Sequence, residues 1–391
     1  MYSKYGLKLI QTSLLPSLLL GGSSIIFNPR TKTFYTTPRS RKRFVQCTIF
    51  LSFVTAFFGG RTLQIFFCQG GKKNEYFHIS YAFSFLFTAS TSGLLLINIF
   101  QNSICQVMTQ LVRYSLYFQG EWMVNYNCNK SLPGIGLDVA LTLFIIFTLT
   151  APLATILHYL YFPETPIYLI TLLPPEWGRH PIIYWGYAVI PTFYAYVGWQ
   201  TTLVIFLLAF VWLLSMLPLI RTEFRVGTKN QKSRKSLRSA WNLPLEYRCV
   251  ELMHKQINEF AGYVITGLHV VVTQFILFAN TAAIVHKATL AGRIKLLLLL
   301  WSISSQIVWI TVLEVCGRFH EHTKKTVKSW GNMKFRNKEE NAYITRLGKA
   351  CQPWNIGIVG LFTVSRLTVL KFMRDIVKRT FRTVVTVGKV R

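Results

Sequence analysis

Residues 352–391, QPWNIGIVGLFTVSRLTVLKFMRDIVKRTFRTVVTVGKVR, decide how this chain is to be read. The stretch opens on Trp354, Ile356, Ile358, Val359, Leu361, Phe362 and Val364, as a membrane helix would. Cations then follow at Arg366, Lys371, Arg374, Lys378, Arg379 and Arg382, with Asp375 the one acid among them. Only 355–370 is apolar enough for a bilayer core, and each Lys or Arg at its centre costs about 2.5–3.5 kcal/mol on insertion scales. A helix through this stretch therefore needs its cations to face water, to snorkel outward, or to pair as Lys371 with Asp375 at i, i+4. If it crosses, the chain has seven spans; if it lies on the inner leaflet, six.

The rest of the chain reads as polytopic. In 391 residues, 51% are hydrophobic, 15% aromatic and only 15% charged, too apolar for a soluble chain of this length. Six apolar segments, at 44–68, 77–100, 137–162, 184–217, 261–286 and 296–317, mostly reach the roughly 20 residues a bilayer requires. The first is interrupted by Gly59, Gly60 and Arg61, which trims its core to 44–60. The fourth exceeds one crossing and contains Pro191, a site for a kink. The 101–136 stretch reads as a linker.

The net charge of +29 comes from cations placed between these segments. They read as topology signals and lipid-headgroup contacts, since no soluble segment interleaves bases with aromatics as a nucleic-acid binder does. Residues 1–43 carry eight Lys or Arg, 101–136 two, 218–260 nine and 318–352 nine. The linkers of the opposite side carry three, one and three. By the positive-inside rule the N-terminus is cytoplasmic. Residues 1–43 then form a basic cytoplasmic arm, whose apolar run 9–27 is followed too closely by cations to be a simple signal peptide. The sequon Asn129-Lys130-Ser131 falls inside, where it would not be glycosylated. The long linkers 218–260 and 318–352 have helical character and suggest that spans four to six continue into the cytoplasm. The expected architecture is thus all-α: six transmembrane helices over 44–317, then an anchor segment and a last helix over 318–391.

The approach to the last helix, Gly360-Leu361-Phe362-Thr363-Val364-Ser365-Arg366, and the general architecture resemble the arthropod chemoreceptor superfamily of gustatory and odorant receptors. That family often closes its last span with Thr-Tyr, five residues, then Gln-Phe. Here Thr380 matches, Phe381 stands for the Tyr, and Val387-Gly388 replaces Gln-Phe. The resemblance implies a ligand-gated cation channel of the plasma membrane, a homo- or hetero-tetramer with related receptors. Its last helix would line the pore, which puts Val384 and Val387 there, and its pocket for a tastant or odorant would lie among the outer halves of spans two to six.

Those outer halves offer Tyr81, Phe85, His158, Tyr187, Tyr194, Tyr196, Trp199 and Trp301, an apolar lining with a few polar tips. The plainer alternative is an interfacial aromatic belt for the edge residues, and packing for Phe85 and His158. No P-loop, HExxH or GxSxG occurs, so neither enzyme activity, a cofactor nor a metal site is expected. A G-protein-coupled receptor would place the N-terminus outside and lacks support from a DRY or NPxxY motif. A small-solute transporter would call for internal repeats or midplane acids, and the segment acids Asp138 and Glu314 lie near span ends.

Overall fold

The computed structural model describes residues 3–71, 74–124, 132–178, 180–228, 231–285, 290, 292–335 and 337–388. It is 81% helical, with two short two-stranded hairpins and one isolated bridge as the strand pairing among the described residues, and so is all-α. The helices are α1 (Lys4–Leu20), α2 (Pro38–Cys68), α3 (Glu75–Trp122), α4 (Leu132–Tyr161), α5 (Pro175–Gly178), α6 (Pro181–Pro218), α7 (Asn242–Val285), α8 (Gly292–Ser329), α9 (Lys338–Ala350) and α10 (Arg366–Gly388). Strands β1 (Ile26–Asn28) and β2 (Thr33–Tyr35) pair antiparallel, as do β3 (Gly357–Ile358) and β4 (Phe362–Thr363).

Among the described residues five helices are long and apolar enough to cross a membrane: α2, α3, α6, α7 and α8. At 1.5 Å per residue they run about 45–70 Å, against a hydrocarbon core of about 30 Å. The 30-residue α4 occupies the third expected segment and packs on α6 and α1. Successive long helices reverse direction, so the bundle has two ends. The starts of α2, α4 and α7 and the finishes of α3, α6 and α8 share one, called the basic end below for its cations. Residues 69–71 and 74 and the segment 162–178 occupy the far end.

At the basic end the helices do not stop where the apolar runs stop. The 101–136 stretch is not a linker throughout: α3 continues to Trp122, because Ile104, Met108, Leu111, Val112, Ser115 and Phe118 give it a buried stripe at helical spacing. The second long span is therefore extended, as well as the fourth to sixth. Its extension is tied to α7 by the buried Glu246 carboxylate, which accepts from the Tyr114 hydroxyl (2.7 Å) and Trp122 Nε1 (2.9 Å). Between α6 and α7 the chain makes a π-helical turn at Leu219–Glu223, then folds back against α8. There Trp330 Nε1 donates to the Phe224 carbonyl (3.0 Å), and the Tyr247 ring stands 4.8 Å from Trp330 and 4.7 Å from Trp354.

Three further expectations change. The arm 1–43 is folded into the core: α1, capped by Ser3 and closed by left-handed Gly21, buries Ile10 and Leu14, and the β1–β2 hairpin buries Phe27 and Phe34. Helix α2 runs unbroken through Gly59, Gly60 and Arg61 to Cys68. Arg61 reaches the far end instead of ending the helix, donating from Nε to the Pro166 carbonyl (3.0 Å).

The third change concerns the tail. Residues 354–364, the most membrane-like part, are not helical. Gly357 (φ +118°) and Gly360 (φ +86°) turn the chain into the β3–β4 hairpin. Asn258 of α7 clamps it, its Nδ2 donating to the Gly357 carbonyl (2.9 Å) and its Oδ1 accepting from the Gly357 amide (3.0 Å). Helix α10 begins only at Arg366 and consists of the basic half. Of the three ways to accommodate its cations, the Lys371–Asp375 pair is not the one used; Asp375 is taken by Arg374 at 3.4 Å. The sequon 129–131 lies outside the described residues.

Candidate functional site

The sequence-selected aromatics divide into two groups because α6 presents two faces. Tyr196 and Trp199 turn to α4, where the Tyr196 hydroxyl donates to the Leu149 carbonyl (3.3 Å) and Trp199 Nε1 to Thr155 Oγ1 (3.4 Å). These two are helix–helix contacts. Tyr194 faces α2 and α3, its ring edge-on to Phe58 (5.3 Å) and Phe87 (5.2 Å). Tyr187 shares its side of α6 and is half-buried.

The remaining candidates join through rings that periodicity alone does not select. Phe83 touches His158 (5.0 Å) and Trp301 (5.5 Å), and Trp301 reaches Phe275 (6.5 Å). Phe275 lies parallel to Phe85 (6.3 Å), Phe85 to Tyr81 (6.2 Å), and Tyr81 packs on Phe278 (4.3 Å). The cluster thus gathers α3, α4, α7 and α8 at the far end. Phe83 lies about 200° around α3 from Tyr81 at 100° per residue. It belongs to the same assembly only because α3 sits between α4 and the α7–α8 pair, which a single-helix reading does not contain.

Tyr168, in the loop beyond α4, completes the site. Its hydroxyl and His158 Nδ1 are 2.6 Å apart, and its ring lies 4.9 Å from Tyr159. Burial, helped by Tyr159, pushes the Tyr168 phenol well above its ordinary pKa, so it stays neutral. Arg61 braces the same loop at Pro166 and Thr171. Against these paired tips one stands out: Tyr194 is 3% exposed, and its hydroxyl has no hydrogen-bond partner. A buried polar tip among rings is what a small apolar molecule with one polar group would meet.

The tail is the second part of the site. α10 lies along α7 and α8, with Val369, Phe372 and Ile376 buried and Phe372 5.8 Å from His269 of α7. Arg366 anchors its start on Glu321 (3.2 Å). Its other two sides are uncovered. One carries Leu370, Val377 and Phe381, all more than 60% exposed. The other carries Lys371, Arg374, Lys378 and Arg382. Of the motif residues, Thr380 turns inward with its hydroxyl unpartnered, while Phe381 faces out. Val384 is half-buried, and the side chain of Val387 lies outside the described residues.

No protein-family model matches the chain, and comparison with curated proteins finds no match. The chain is a largely helical protein with several membrane-length apolar helices, as a multi-pass membrane protein has.

Proposed function

We propose that the chain is a chemosensory receptor of the plasma membrane, a divergent relative of insect-type gustatory receptors that works as a ligand-gated channel. The observation that carries this reading is α10. It is about 35 Å long and runs beside the apolar parts of α7 and α8, yet shows cations on one open side and apolar residues on another. Facing lipid, four cations at about 2.5–3.5 kcal/mol each would cost on the order of 10 kcal/mol. Around a shared aqueous axis in a tetramer of homologous subunits, that cost disappears. Leu370, Val377 and Val384 recur every seven residues and would face the axis, with the cations on the flank toward water and neighbouring subunits.

On this reading the N-terminus is cytoplasmic, α10 is the seventh crossing and the far-end cluster faces outside. A tastant or odorant entering among Tyr81, Phe85, His158, Tyr194 and Trp301 would open the channel only by binding the open arrangement more tightly than the closed one. The channel is proposed as cation-selective, with one physical tension: positive charge beside the axis opposes cations. Ion selectivity is therefore the informative readout. Cells expressing the chain should pass current on exposure to an active compound from a tastant panel, with a reversal potential that moves when sodium is replaced by a large organic cation. A reversal potential that follows chloride would overturn cation selectivity. Silence across the panel, with a monomeric mass in detergent, would overturn the channel reading and leave a non-channel receptor or a transporter. An epitope tag at the N-terminus accessible from outside would overturn the orientation.

A further inference from the structure

The first half of α1, the β1–β2 hairpin and the basic-end stretch of α3 enclose an open groove of about 1620 Å³. Lys4, Lys8, Arg30 and Lys32 stand around it, all exposed, with Asp138 the one acid in its lining. Asp138 is already engaged by the Ser3 hydroxyl at 2.9 and 3.0 Å. Among the described residues these four cations form no ion pair, whereas Arg248, Lys255, Arg318, Lys325 and Arg366 each clasp a glutamate. Gln119, also in the lining, has its buried Oε1 unpartnered.

The hairpin tip holds its two cations in place. The Asn28 side-chain oxygen accepts from the amides of Arg30 (2.9 Å) and Thr31 (3.4 Å), and the Lys32 amide donates to the Asn28 carbonyl (2.8 Å). Lys32 has φ +58°, the one described non-glycine residue in the left-handed region, where glycine would sit without strain.

The exposed face of α1 shows where in a membrane this groove would lie. It carries Lys4, Lys8, Gln11 and Thr12, then Leu15 (47% exposed) and Leu19 (65% exposed). From Lys4 to Leu19 is about 22 Å of helix. A face that changes from cations to leucines over that length matches the passage from headgroups to acyl chains.

We propose that this groove binds the headgroup of an anionic membrane lipid bearing more than one phosphate. Lys4, Lys8, Arg30 and Lys32 take the phosphate oxygens, and an acyl chain runs along Leu15 and Leu19. Assigning the site to the inner leaflet rests on the orientation proposed above; the binding itself does not, and neither does it depend on conduction.

The test uses the full-length protein in detergent, titrated with short-chain phosphatidylinositol bisphosphate while unfolding temperature is followed. A saturable rise is expected, absent with short-chain phosphatidylcholine. Apparent affinity should fall roughly fivefold for each cation neutralised, in Lys4→Gln/Lys8→Gln/Arg30→Gln/Lys32→Gln or, if that variant folds poorly, in Arg30→Gln/Lys32→Gln at the hairpin tip. Asp138→Asn should bind more tightly. Neutralising Lys371, Arg374, Lys378 and Arg382 on α10 should leave binding unchanged. Equal affinity for phosphatidylcholine, unchanged affinity in the groove variants, or an equal loss in the α10 variant would overturn the site. Free inositol trisphosphate binding as tightly as the lipid would overturn the lipid as its ligand.

Discussion

The two ends of the bundle are both built from aromatic rings, yet they are finished differently. At the basic end Phe118, Phe224, Tyr247 and Trp330 are almost completely buried, and segments distant in sequence lock together through Glu246 and through backbone carbonyls. His254 adds a contact to the Asn355 carbonyl at 3.0 Å, fixing the segment that precedes β3. At the far end Tyr81, Phe85, Tyr187 and Trp301 are only half-buried, beside the buried Tyr159, Tyr168 and Tyr194, and the polar contacts reach side chains, as in His158–Tyr168, and carbonyls, as in Arg61–Pro166. Close packing that excludes all solvent leaves no volume for a ligand, whereas half-buried rings can shift without opening a cavity. The basic end is therefore where stability is concentrated, and the far end is where a molecule can be admitted.

The largest effect should come from the basic end. Trp330→Ala removes a ring buried among Tyr247, Phe224 and the α8 finish, and should cost about 3–5 kcal/mol. Trp301→Ala, at the far end, should cost less than half of that. Unfolding temperatures of the two variants in the same detergent compare the ends directly; equal losses would erase the distinction. Next comes Glu246→Ala, which leaves the buried Tyr114 hydroxyl and Trp122 Nε1 without their acceptor. About 1–3 kcal/mol is expected, with partial restoration by Glu246→Gln, whose single amide oxygen accepts from one of the two donors. A smaller loss, about 0.5–1.5 kcal/mol, is expected for Tyr168→Phe, which frees His158 Nδ1 but keeps the ring packing.

How much of this could be read from the sequence depends on which physical signal each part obeys. The long helices follow from apolar length alone, and α6, apolar on nearly all sides, was the plainest. The continuation of α3 to Trp122 was hidden by Gln106, Gln110 and Arg113, although the 3–4 spacing of Ile104, Met108, Leu111 and Phe118 carried it. In the tail, hydropathy favoured 354–364 as helix, but two glycines three residues apart turned it into a hairpin that Asn258 could clamp. Hydropathy averages over side chains and is blind to a backbone turn. The separation of Tyr194 from Tyr196 was legible, since two residues on a helix are about 200° apart. That Tyr194 is the one facing Phe58 and Phe87 was not, because it depends on the positions of α2 and α3. Tyr168 gave no signal at all, lying in a loop with no periodicity to select it.

The smallest stability effect concerns a bare hydroxyl, a feature the far end shares with the basic end, where the Tyr247 hydroxyl is also buried without a partner. The Tyr194 hydroxyl is buried with no partner, so Tyr194→Phe removes a desolvated polar group and loses no hydrogen bond. The edge-on contacts with Phe58 and Phe87 are made by the ring and survive the change. Stability should stay within about 0.5 kcal/mol of the parent, or rise slightly. If the hydroxyl is kept bare to meet a ligand, the same substitution should shift the response to an active compound by several-fold in half-maximal concentration. A variant that loses stability by more than about 1.5 kcal/mol would mean that an ordered water bridges the hydroxyl to the surrounding helices. Tyr194 would then belong to the packing of the bundle, and the far end would be finished in the same way as the basic end.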